Sequence, residues 1–73
     1  MRLMRDFKLG NPVFVVHRRS RTFFIIEGGM FIGSDGETVC YSYNASVHFG
    51  FVKDAFTSRE GAERHVKQLE SQP

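Results

Sequence analysis

Apolar and polar positions alternate along most of this chain, and the alternation breaks at short, evenly spaced turn signals. Val13–His17 reads as a first strand, launched by the turn chemistry of Leu9, Gly10, Asn11 and Pro12. Thr22–Ile32 reads as a second, longer strand interrupted by Gly28 and Gly29, a pair that predicts a bulge or bend. A long strand bent in its middle is how a small barrel lets one strand serve two sheets. Gly33, Ser34, Asp35 and Gly36 then supply a hairpin turn. Glu37–Tyr43 is the third strand, with Val39, Tyr41 and Tyr43 on one face and Thr38, Cys40 and Ser42 on the other. After a turn at Asn44, Ala45 and Ser46, Val47–Val52 is the fourth. There Val47, Phe49 and Phe51 share one side, and the alternation predicts that Phe49 and Phe51 face the core.

The last segment changes period. Thr57 is a suitable N-cap, and Glu60 three residues later completes a capping box. Ala62, Val66 and Leu69 recur on one helical face with His65 beside them. Gly61 weakens that helix by roughly 1 kcal/mol relative to alanine, so the helix depends on docking. The expected organisation is a single domain over residues 1–73. It has a polar lead-in at 1–8, a β-barrel at 9–56 and a C-terminal helix at 57–70. The fold class is mainly β with one C-terminal α-helix: a small SH3-like antiparallel barrel or a strongly bent four- to five-stranded sheet, with the helix packed at one end.

Length and composition narrow the classes. A domain of this size buries only about 60% of its unfolded surface, so stability leans on packing, and a homodimer would cover surface that one copy cannot. Eight phenylalanines and two tyrosines help fill the core. The single cysteine, Cys40, excludes an intrachain disulfide and fits a reducing compartment. No apolar run approaches membrane-spanning length and the N-terminus lacks a signal-peptide core, so the expected setting is cytoplasmic, away from membranes. Net charge is only +2 but unevenly spread. Residues 1–26 hold Arg2, Arg5, Lys8, Arg18, Arg19 and Arg21 against Asp6, whereas residues 27–63 hold six acids against Lys53 and Arg59. Such a basic pole suits phosphate or an acidic protein surface.

Four stretches occur in order: Lys8-Leu-Gly-Asn-Pro-Val-Phe-Val-Val16, Ile26-Glu-Gly-Gly-Met-Phe-Ile32, Asp35-Gly-Glu37 and Lys53-Asp-Ala-Phe-Thr-Ser-Arg-Glu-Gly-Ala-Glu63. Together they resemble the small SH3-like barrel proteins of uncharacterised phage and mobile-element genes. Those open on "K-x-G-x-x-V-(F/Y)-V-V", break the second strand with glycine and close on "D-x-F-x-(S/T)-x-E-x-A-E". The resemblance implies a fold and a genomic setting, and no activity. Phe23-Phe24 and the Arg18-Arg19-Ser20-Arg21 connection stand outside that plan.

That connection is the one concentrated chemistry in the chain. Three arginines at a hairpin tip can grip phosphate through planar two-pronged donors, and Arg5 and Lys8 are the expected supports. Charge that merely keeps a β edge soluble is the plain alternative. Val47-His48-Phe49-Gly50-Phe51-Val52-Lys53 echoes the aromatic strand of RNA-recognition domains, but no helix separates the first two strands as that fold requires. His17, His48 and His65 show no ligand spacing, so neither a metal nor a cofactor is expected. Acids are dispersed singly, and no nucleophile–base pair or phosphate loop occurs, which argues against an enzyme. The aromatic surplus leaves one or two rings for the surface, with Phe23, Tyr41 and Tyr43 as candidates for a partner surface or dimer seam. The expected role is a non-enzymatic module that contacts nucleic-acid backbone through Arg18, Arg19 and Arg21. Its competitor is a protein-binding inhibitor or adaptor, for example of a host defence nuclease, acting as a dimer.

Overall fold

A computed structural model of the chain describes residues 7–72. It is mainly β: five strands and one C-terminal helix. The strands are β1 (Pro12–Arg18), β2 (Phe24–Ser34), β3 (Thr38–Tyr43), β4 (Ser46–Phe51) and β5 (Ala55–Phe56), and the helix α1 spans Arg59–Glu70. They form one antiparallel sheet in the order β4-β3-β2-β1-β5. A single 3-10 turn, Val52–Asp54, carries the chain from β4 across to β5. β5 pairs Phe14 with Phe56 and Val15 with Ala55.

The sheet is bent strongly enough that its far edge returns over β1. A Cβ added to Gly50 of β4 would run into Val15 Cγ1 of β1, so glycine is what lets the strands approach. Inside this curl lie Val13, Val15, Phe31, Val39, Tyr41 and Ala55, with Phe7, Tyr43 and Val52 packed against them. Phe7 stacks on Phe31 at 5.3 Å between centroids. The other side of β1, β2 and β5 is covered by α1, whose Ala62 is fully buried and whose Val66, Leu69 and His65 are half-buried. The helical face read from the sequence is therefore the docking face.

Several boundaries differ from expectation for identifiable reasons. β2 begins at Phe24 rather than Thr22, because Arg19 N and Ser20 N both donate to Phe23 O and close the connection there. Gly28 and Gly29 sit in regular register opposite Phe14 and Val13, and the irregularity lies between Phe31 and Gly33. Those glycines answer a packing demand instead: a Cβ on Gly29 would strike the Ser42 carbonyl and the Tyr41 ring. The helix is capped by Ser58, whose Oγ accepts from Gly61 N at 3.1 Å, and not by Thr57. The β3–β4 hairpin turns through Asn44 and Ala45, both at positive φ (53° and 61°), the form whose twist matches the flanking strands. The β2–β3 turn is held by Asp35, whose Oδ1 accepts from Glu37 N, Thr38 N and Thr38 Oγ1; these bonds lower its pKa.

The largest correction concerns β4. Val47, Phe49 and Phe51 do not face the core; they are 59%, 65% and 58% exposed. Gly50 and His48 point inward in their place, Gly50 onto Val15 and His48 onto the Tyr41 ring. Alternation shows that the two sides of a strand differ, and here the larger side chains take the outside. The curl leaves no room at β4 for a side chain against Val15.

Candidate functional site

The tip of the β1–β2 hairpin carries the arginines, each placed differently. Arg18 ends β1 directly opposite Phe24 on the helix side of the sheet. Its guanidinium lies 4.7 Å from the Phe24 ring centroid, and Nη1 donates to Arg21 O at 2.9 Å. Those contacts fix the side chain without an acid, so its charge is not neutralised. Arg19 reaches the concave side, with Nη2 3.8 Å from Glu27 Oε2. Arg21 is exposed and has no side-chain partner among the described residues, and Phe23 beside it is 58% exposed. Lys8 is exposed but stands beyond the opposite end of β1, about 20 Å of strand away, so it does not join the tip. Arg5 lies outside the described residues.

Lys53, which the sequence pattern does not single out, comes to the Arg18 end instead, and Arg64 stands in an adjoining cleft. Arg18, Lys53 and Asp54 line a cleft of about 140 Å³ floored by Val16, Phe24 and Leu69. Lys53 also lines an adjoining cleft of about 310 Å³ with Arg64, His65 and Gln68. Asp54, the one acid in these linings, is engaged by His65 Nε2 at 2.8 Å. Among the described residues neither Arg18, Lys53 nor Arg64 has a carboxylate within 4.0 Å. The assembly is made by β5: pairing on β1 antiparallel brings Lys53 and Asp54 alongside the Arg18 end. Nothing local in the sequence signals it, because Lys53 and Arg64 lie 35 and 46 positions from Arg18.

On the concave side the sheet gathers a polar cluster from four strands. Tyr41 Oη donates to Glu27 Oε1 at 2.6 Å and lies 2.6 Å from His17 Nε2. A tyrosine hydroxyl has one proton, so His17 supplies the other, and a relay runs His17 Nε2–H to Tyr41 Oη–H to Glu27. His48 Nδ1 is 3.7 Å from the same carboxylate oxygen, and its ring stacks on Tyr41 and meets Tyr43 edge-on. Glu27 is buried to 8% exposure, and the cluster satisfies it. Tyr41, expected among the exposed rings, is fully buried because its hydroxyl is needed there; Tyr43 is half-buried. Burial, then the hydrogen bond and charge of Glu27, push the Tyr41 pKa well above its ordinary value. A phenol so placed keeps its proton and is suited to holding the end of the curl together. Histidines that looked scattered in sequence thus share one carboxylate, a convergence that only the register of β1, β2, β3 and β4 produces. No group of three or more His, Cys, Asp or Glu side chains among the described residues could hold a metal ion. Cys40 is half-buried.

No family model, curated protein or solved structure matches the chain. No helix among the described residues is long and apolar enough to cross a membrane.

Proposed function

We propose that the chain is a non-enzymatic binding module, of the small SH3-like barrel type carried by phages and mobile elements, that contacts nucleic-acid backbone through its basic end. One observation carries this reading: Arg18, Lys53 and Arg64 line two adjoining clefts that share Lys53, and the single acid there is occupied by His65. Three cations against one carboxylate around the clefts suit phosphates, and an arginine held by a ring and a carbonyl loses little freedom on binding. Arg21 extends the line at the tip, and exposed Phe23 offers a face on which a base can stack. The reading keeps the arginine tip as the centre and replaces Lys8 with Lys53 and Arg64 as its supports.

Fluorescence anisotropy with a labelled single-stranded oligonucleotide, titrated across salt, tests it. Four phosphates met by Arg18, Arg21, Lys53 and Arg64 give a log–log salt slope of about −3, and Lys53→Ala or Arg64→Ala each reduces it by about 0.7. Absent binding, or binding indifferent to salt, sinks the reading. The competing role, a protein-binding inhibitor or adaptor, draws on a different surface, the outer face of β2, β3 and β4.

A further inference from the structure

The helix covers only half of the outer sheet surface. Beyond it, Met30 and Ile32 of β2 and Val47, Phe49 and Phe51 of β4 remain 40–65% exposed. They are contiguous: Met30, Ser42 and Val47 form one cross-strand row, Cys40 and Phe49 the next, Thr38 and Phe51 the last. Side chains between the apolar ones are small and uncharged (Thr38, Cys40, Ser42), and Lys53 stands at the border, 5.9 Å from the Phe51 ring. A patch of this size on so small a domain marks an interface.

We infer that this face packs against the same face of a second copy of the chain, giving a two-fold homodimer centred near Phe49. Three features favour a copy over another protein. With full exposure near 200 Å² for a large side chain, the five residues leave roughly 550 Å² of apolar surface per chain. Two copies together would bury about 1,100 Å², just past the level a specific interface must clear. Among the described residues, the strand side chains of this face carry no charge that would select a differently charged partner, and an uncharged patch suits a two-fold contact in which each copy offers the same surface. A 73-residue chain that leaves three large β4 side chains outside its own core has surface that pairing would stabilise. None of the five apolar residues of this face lines the basic clefts, so the dimer carries two pairs of them. Linked sites raise the apparent affinity for a long polyanion without any new contact.

Sedimentation equilibrium on the full chain over a wide concentration range decides the matter. The wild type is expected at twice the 8.4 kDa chain mass. Phe49→Asp is expected to weaken the dimer roughly thirtyfold or more, as loss of a central anchor does, while Phe23→Asp at the hairpin tip leaves it intact. Cys40, the cross-strand neighbour of Phe49, gives a readout on the unaltered protein: its thiol should react more slowly with a thiol reagent at high protein concentration than at low. A wild type that stays at single-chain mass, a Phe49→Asp protein that stays dimeric, or a Cys40 rate independent of concentration overturns the inference. So does a single-chain wild type that binds a different protein through this face.

Discussion

Replacing Tyr41 by phenylalanine removes one oxygen from the middle of the concave cluster and leaves the ring in place. In the native chain that oxygen makes two 2.6 Å hydrogen bonds at zero exposure, one of them to the Glu27 carboxylate. A hydrogen bond to a charged group contributes about 1.5–3 kcal/mol, so near neutral pH Tyr41→Phe should cost about 2 kcal/mol. The gap must then close in alkali. The folded pKa of Tyr41 is raised by burial and by Glu27, whereas an unfolded tyrosine ionises near its ordinary value of about 10. Stability due to this group is therefore complete below about pH 10 and falls as pH rises towards the folded value. The loss is at most about 1.4 kcal/mol for each pH unit in that window. Phenylalanine has no proton to lose, so this pH-dependent contribution is absent from the variant. The two stabilities should meet at about pH 11.5. Urea unfolding followed by far-ultraviolet circular dichroism between pH 7 and 11.5 measures the difference directly. A gap constant across that range would refute the account of Tyr41 as a buried phenol that keeps its proton.

Two further outcomes test the architecture. Gly50→Ala drives a methyl group into Val15, which is fully buried and stiff about its first side-chain torsion, and should cost about 1–3 kcal/mol in denaturant melts. If that variant is as stable as the wild type, β4 does not close over β1. Ser58→Ala should destabilise by about 1 kcal/mol through loss of the bond to Gly61 N. Thr57→Ala should change little, and the reverse order would restore Thr57 as the cap.

Local chemistry carried much of the fold. The strand runs, the Asp35 and Asn44 turns and the Ala62–Val66–Leu69 face are each set by neighbours within a few residues, and each occurs about where the pattern puts it. The two-residue strand β5 was invisible, because Ala55 and Phe56 are extended only by pairing with β1. The arginine tip was legible as a cluster, since its members are adjacent in sequence. Its supports were not, because Lys53 reaches Arg18 only through β5, and Arg64 meets Lys53 only through the docking of α1.

The outward turn of Phe49 shows the limit most clearly. Sequence alone determined that β4 has an aromatic side and a side holding His48 and Gly50, because side chains alternate along an extended chain. It could not say which side meets the interior. That choice depends on curvature: once the sheet closes far enough for β4 to touch Val15, only glycine fits the contact, and the aromatic side is left outside. The same curvature draws His17, Tyr41 and His48 from three strands onto the Glu27 carboxylate of a fourth. Periodicity is a property of neighbouring residues, whereas curvature is a property of the whole sheet, and only the tertiary structure decides it.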